Sequence, residues 1–251
     1  MRNAYLQQLS KIEFVVTNAC TGRCKHCSQG DHTAKAERID PILAADAVRT
    51  ITQTYDVKTV MTFGGEPLLH EEAVVAIHRA AKEQGVPHRQ LITNGYFTKD
   101  VARMHAVAQA LAACGVNDLL LSVDAFHQES IPLDVVVAFA NEALASGIPV
   151  RLSPTWLVSE TDDNPYNRET REILSRFADV GIRTGAGNVV FPEGNAVKYL
   201  AEYFTKTRPQ NPYEEDPRDV RCVSFASNGD VLDGNLYRDD VATLLRAYRP
   251  T

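Results

Sequence analysis

The chain has 251 residues, 44% hydrophobic and 23% charged, with a formal net charge of −6. That length suits one large globular domain or two small ones, and an acidic balance without a basic stripe argues against a nucleic-acid partner. No apolar run approaches the roughly 20 residues of a membrane span, and Met1–Leu9 shows no signal-peptide core. Five cysteines, an odd number with three in one loop, speak against a disulfide framework and for a reducing, cytoplasmic setting.

Residues 12–17, Ile-Glu-Phe-Val-Val-Thr, read as a first strand. Cys20, Cys24 and Cys27 follow at once in a Cys-x3-Cys-x2-Cys spacing. A thiolate triplet this close can wrap one soft metal centre. Iron–sulfur clusters usually take four thiolates, so a set of three leaves one iron open to another ligand. A structural zinc site with His26 or His32 as fourth ligand is the competing reading. Asp40-Pro41 caps and starts a helix over 41–54. A second strand, 58–62, ends in Phe63-Gly64-Gly65-Glu66-Pro67. Two glycines there permit a close approach of ligand that a Cβ would block.

A helix over 71–84 stops at Gly85, and a third strand, 88–93, closes with Thr93-Asn94-Gly95, polar residues placed to face a ligand. An Ala-rich helix over 99–114 ends at Gly115, with Cys114 read as a small buried hydrophobe. The apolar fourth strand, 118–124, ends with Ser122 and Asp124, whose alternation puts both on one face. We read them as ligand contacts; the alternative is that Asp124 caps the next turn. His127 is either a substrate-side acid or base or an exposed loop residue. A helix from Pro132 to Ser146 leads to a fifth strand, 149–154, whose inward Arg151 needs an anion. That anion is a bound ligand's carboxylate, Asp124 or Glu66. Trp156–Tyr166 reads as a polar active-site loop, followed by a helix over 167–179 and a sixth strand region, 182–191.

The tail, 206–251, opens with a Pro-rich, charged linker at 208–221. Cys222 then begins a run in which Asn228-Gly229 signals a hairpin. Cys222 has three readings: a buried structural thiol, a remnant of lost ligation, or a hydrogen-atom donor to a substrate radical.

The cysteine spacing with His26 before the third cysteine, and Gly64-Gly65-Glu66 one helix and one strand later, resembles the radical S-adenosylmethionine (SAM) superfamily. The resemblance covers residues 12 to about 195 and implies an α/β fold, a partial (β/α)6 barrel over residues 1–205 with a C-terminal extension over 206–251. It implies a [4Fe–4S] cluster on Cys20, Cys24 and Cys27, with SAM chelating the fourth iron. Reductive cleavage of SAM would give a 5′-deoxyadenosyl radical that takes hydrogen from substrate. Gly64, Gly65 and Glu66 would contact the SAM amino group, Ser122 and Asp124 its ribose or carboxylate, Arg151 its carboxylate, and Val189 and Val190 its adenine, with Thr93, Asn94 and His26 also facing the cofactor. A flavodoxin- or ferredoxin-type donor would supply the electron. The tail resembles the extensions of peptide-modifying members, but one thiolate, Cys222, holds no second cluster. The implied substrate is a peptide, epimerised or crosslinked, or a small metabolite. A glycyl-radical activating enzyme and a non-catalytic zinc- or cluster-binding scaffold are the alternatives.

Overall fold

The computed structural model describes residues 2–30, 32, 37–205 and 209–250. Its strands are β1 (Lys11–Val15), β2 (Thr59–Phe63), β3 (His88–Thr93), β4 (Asp118–Leu121), β5 (Val150–Leu152), β6 (Thr155–Trp156), β7 (Arg183–Thr184), β8 (Asn188–Val189) and β9 (Cys222–Phe225), then a small pair, β10 (Asp230–Val231) and β11 (Gly234–Asn235). The main sheet runs β7–β5–β4–β3–β2–β1–β9, and every neighbouring pair in it is parallel. The helices between them are α1 (Pro41–Thr52), α2 (Glu71–Glu83), α3 (Val101–Cys114), the short α4 (Ala125–Gln128), α5 (Leu133–Ala145) and α6 (Pro165–Ser175). The short α7 (Asn195–Tyr199) and α8 (Val241–Ala247) follow. This is the α/β, partial-barrel architecture expected from the alternating pattern. Among the described residues no helix is long and apolar enough to cross a membrane.

Local chemistry sets the element ends. The Asp40 carboxylate accepts from Ile42 N and Leu43 N at 2.9 Å, with Pro41 at the first helical position. Asp100 caps α3, and Gly115, at φ +95°, ends it. Cys114 is buried there, its thiol on Leu111 O.

Strand alternation divides the sheet into two faces. Ile12, Phe14, Val60, Leu91, Leu119, Leu121 and Leu152 are fully buried in the main hydrophobic core. Lys11, Glu13, Phe63, Gln90, Ile92, Arg151 and Ser153 take the other, concave face and are only partly covered.

The structure differs from the sequence expectation in the last third. A seventh strand, β9, joins the sheet on the free side of β1, where Phe225 stacks on Phe14 at 4.8 Å and 11°. The hairpin expectation was right about the Asn228-Gly229 turn, but the antiparallel ladder lies one step later, between β10 and β11. The sixth strand region splits into β7, on β5, and β8, on β6. Gly187 makes the break, because a Cβ there would fall 2.1 Å from Pro154 O. The fourth strand stops at Leu121, short of Asp124.

His78 on α2 is fully buried, with its Nε2 2.9 Å from Thr62 Oγ1 and its Nδ1 unpartnered. Burial, with Arg89 adding to it, pushes its pKa down to about 3. The unfolded chain therefore binds a proton that the folded chain refuses, between about pH 6.5 and 3, and stability is lost as pH falls through that window. Denaturant titrations at pH 7 and 5.5 should show a loss of about 1 kcal/mol from this group. His78→Gln should remove that increment; an unchanged pH dependence would refute the assignment.

Candidate cluster and cofactor site

The site begins with a backbone contact. Beyond β1 the chain continues as Thr17–Ala19 and runs against the Gly64–Gly65 turn. Gly65 N donates to Thr17 O and Glu66 N to Ala19 O, both at 2.7 Å. A Cβ on Gly64 would lie 2.5 Å from Thr17 O, and one on Gly65 2.1 Å from Ala19 O. The glycines are thus required by the cysteine loop's own backbone, where the sequence suggested a ligand.

The Glu66 carboxylate is turned inward and fully buried. It accepts from Leu68 N at 3.0 Å, Thr93 Oγ1 at 2.7 Å and Asn94 N at 2.8 Å. Burial pushes its pKa up to about 7, against the three donors that favour the ionised form. Its contact is therefore with the Thr93-Asn94 turn, and the expected contact of this carboxylate with a ligand ammonium is replaced by a supporting one. Asn94 in turn donates from Nδ2 to Cys20 Sγ at 3.6 Å and to Thr21 Oγ1 at 3.2 Å.

All three cysteines line one cavity, and the thiols of Cys20 and Cys24 lie against the turn at Gly22. Its missing side chain leaves room, for a Cβ would sit 3.3 Å from Cys24 Sγ and 3.7 Å from Cys20 Sγ. Burial pushes the Cys20 thiol up to about 11 and Cys24 well above its usual range. Both are held as thiols until a metal displaces the proton. Cys27 Sγ lies 3.2 Å from His32 Nε2, whose Nδ1 is 2.7 Å from Asn18 O. His26 packs between Phe126 and His127, each at 4.9 Å between ring centroids. Burial, and His127 beside it, push its pKa down to about 4, and its buried Nδ1 has no partner. A soft three-thiol set with an orphaned imidazole nitrogen beside it fits an iron–sulfur cluster and a ligand on it.

One cavity gathers most of the expected residues. Cys20, Cys24, Cys27, His26, Gly64, Gly65, Thr93, Asn94, Ser122 and Val189 all line it, with Val190 beside them. Four expectations fall outside it: Glu66, described above, and three more. Asp124 is fully buried and caps α4, accepting from His127 N at 3.0 Å, His127 Nδ1 at 2.8 Å and Thr155 N at 3.0 Å. Burial works to raise its pKa, but the His127 ring outweighs that and holds it below the carboxylate range. The turn-capping reading of Asp124 is the one the geometry supports, and His127 is the residue of this pair that lines the cavity. Arg151 pairs with neither Asp124 nor Glu66 but with Asp118, Nε to Oδ1 at 2.7 Å and Nη2 to Oδ2 at 2.8 Å. Cys222 stands beside Lys11, at the start of the sheet, whereas the cysteine loop leaves its other end. Burial, with Glu13 nearby, pushes the Cys222 thiol up. The hydrogen-donor reading of Cys222 has no geometry behind it, and a partly buried structural thiol remains.

The sequence missed two contributors. Asn195 N donates to Cys27 O at 2.8 Å, and Asn195 Nδ2 to Cys24 O and Gly30 O at 3.3 Å. Gly194 lies so close that a Cβ would meet Ser28 O at 2.4 Å. This clamp closes over the cysteine loop from 170 positions away, where no local pattern announces it. Tyr213 also lines the cavity, its hydroxyl donating to Asn188 Oδ1. By contrast, the Trp156–Tyr166 stretch is no active-site loop. Asn167 fills it, accepting from Leu157 N and donating to Leu157 O, Ser159 O and Asp162 O.

The Radical SAM superfamily model matches residues 14–196, from the first strand through the clamp. The chain belongs to the radical SAM superfamily; it is an enzyme of that class, and its cofactors are a [4Fe–4S] cluster and SAM. It is similar to the probable GTP 3′,8-cyclase of Saccharolobus islandicus (strain L.S.2.15 / Lassen #1), 25% identical over 225 residues, which cover 82% of this chain and 68% of that one. Native anSMEcpe with bound AdoMet and Kp18Cys peptide shares the fold with a TM-score of 0.55 at 15% identity, covering 92% of this chain and 75% of that one. Methylornithine synthase (PylB) does so with a TM-score of 0.52 at 14% identity, covering 93% and 77%.

Two variants test the supports. Glu66→Gln places an amide N–H₂ against donors and should cost about 1–3 kcal/mol in denaturant unfolding, while weakening SAM binding by calorimetry. Asn195→Ala strips the side-chain donor from two carbonyls of the cysteine loop and should lower iron retained after gel filtration, whereas Asn141→Ala, at an exposed position of α5, should not. Equal iron retention in the two asparagine variants would remove the clamp from the site.

Proposed function

We propose that this chain is a single-cluster radical SAM enzyme that removes a hydrogen atom from a substrate held on the concave face of the sheet. The observation that carries this is the convergence of the three thiols, the Gly64–Gly65 turn and the Thr93-Asn94 edge on one cavity. When bound, the reduced cluster supplies an electron that cleaves SAM to methionine and a 5′-deoxyadenosyl radical, the species that abstracts hydrogen from substrate. Cys20, Cys24 and Cys27 would hold the cluster. The backbone carbonyls of the Gly64–Gly65 turn would accept from the SAM amino group, because an ammonium needs acceptors and Glu66 is already committed. Asn94, fixed by Glu66, would set the Cys20 edge. Ser122, Ser153 and Thr155 supply hydroxyls on the facing wall for a ribose or substrate. Val189 and Val190 offer an apolar strip for a flat base. Phe63 and Ile92, at the inner wall, keep water from the reacting position.

The proposal narrows the substrate. The peptide reading leaned on the tail as a degenerate form of the extensions of peptide-modifying members, and we give that support less weight because the Cys222 run is the sheet's seventh strand. A small metabolite is the reading we favour. A flavodoxin- or ferredoxin-type protein remains the proposed electron donor.

Anaerobic reconstitution with iron and sulfide, reduction by dithionite and chromatography for 5′-deoxyadenosine test this. About four irons per chain and SAM-dependent 5′-deoxyadenosine are expected. Cys20→Ala, Cys24→Ala or Cys27→Ala should abolish both, while Cys114→Ala and Cys222→Ala should keep the iron count. About eight irons, or loss of iron on removing Cys114 or Cys222, would sink the single-cluster proposal.

A further inference from the structure

The concave face carries an unbalanced charge beside the cavity. Strand register fixes its place. Ile92 on β3, which lines the cavity, pairs with Leu120 on β4, Leu120 with Arg151 on β5, and Arg151 with Arg183 on β7. Residues in one row of a parallel sheet point to the same face, with adjacent strands about 4.8 Å apart. Arg151 and Arg183 therefore stand side by side at the depth of the cavity's inner wall, and Ser153, just past the end of β5, lines the cavity itself.

Like charges in neighbouring strands repel, and here only one is compensated. Asp118 takes Nε and Nη2 of Arg151, and the Arg151 Nη1 donors are left over. Among the described residues Arg183 makes no ion pair, and it is exposed. Gly185, the next inward position after Arg183, has no side chain, and its Cβ position lies 3.4 Å from Arg151 Nη1. The result is one surplus positive charge, with free guanidinium donors in a fork that matches carboxylate or phosphate oxygens.

We propose that Arg183, with the free edge of Arg151, binds an oxyanion group of the substrate, a carboxylate or a phosphate, and so orients the substrate's other end toward the cysteine loop. This rests on the reading that the substrate lies on the concave face. The assignment makes Arg183 a specificity residue: it selects anionic metabolites and sets which carbon faces the cluster.

The test uses the cluster-loaded full chain, anaerobically, without reductant, in isothermal titration with pyrophosphate or with succinate at low ionic strength. Saturable binding of either probe is expected. Pyrophosphate alone would mark a phosphoryl-bearing substrate, succinate alone a carboxylate, and both the shared chemistry. Arg183→Gln should weaken the bound probe about tenfold or more, and Arg183→Lys should restore part of it. Thermal unfolding of both variants checks that the exposed position leaves the fold intact. Saturable binding of neither probe, or binding to Arg183→Gln within twofold of the parent chain, would overturn the proposal. Formation of 5′-deoxyadenosine by the parent chain is scored separately, so a failure of the radical chemistry is not mistaken for a failure of the anion site.

Discussion

The structure depends on the approach of two backbones, Thr17–Ala19 and Gly64–Gly65, to within hydrogen-bonding distance with no side chain between them. That contact joins the exit of β1 to the exit of β2 and lays the cysteine loop across the end of the sheet. Only glycine permits it, since a Cβ would enter the carbonyl oxygens of Thr17 or Ala19. From it a chain of contacts runs outward: Glu66, pinned just past the second glycine, holds Thr93 and Asn94, and Asn94 reaches Cys20. A buried carboxylate with three donors is expensive to disturb, because each donor left unpaired carries its own desolvation cost. The same cost makes the arrangement rigid, and a rigid thiol set is what a cluster needs in order to assemble without reorganising the loop.

The opposite wall is built by the same logic with different residues. Asp124 accepts from one side chain and two backbone groups and thereby fixes His127 against His26. The two buried carboxylates, Glu66 and Asp124, flank the cysteine loop without lining its cavity, and each presents a neighbour to the cavity in its place. Burial raises the first and the His127 ring depresses the second, so they differ in the proton each would hold. Both are committed to donors of the protein itself, and a charge without an ion pair among the described residues lies elsewhere on the concave face, on Arg183.

Much of this was legible in the sequence, for identifiable reasons. Cysteine spacing is local and chemically specific, so Cys20, Cys24 and Cys27 could be read from the spacing alone. The strand–helix alternation and its caps, Asp40 and Gly115 among them, are likewise local. What escaped was non-local or directional. Asn195 acts on backbone carbonyls far away in sequence, and asparagine opening a short helix looks like an ordinary helix start. Period-2 alternation places Arg151 inward but gives a face and no partner, and Asp118, one strand away, takes it. Ser122 and Asp124 were read as one alternating pair; β4 ends at Leu121, alternation lapses, and the two part company. Cys222 was weighed by its chemistry, whereas its position is decided by Val223 and Phe225, whose alternation builds a strand.

That seventh strand explains why the tail belongs with the site although it contributes no thiol to it. Without β9, β1 would be an edge strand, with one row of unpaired backbone groups and an open side. β1 is also the strand from which the cysteine loop springs. Pairing Lys11–Phe14 with Cys222–Phe225 makes β1 internal, bonded on both sides, and the Phe14–Phe225 stack fixes its slide along the neighbour. The loop is therefore rooted in a strand that cannot fray. At the other end of the sheet β7 has no second neighbour among the described residues, and Arg183 on it makes no ion pair among them. The sheet is closed beside the strand that carries the cysteine loop, and open and charged at the edge where we propose that a substrate anion binds.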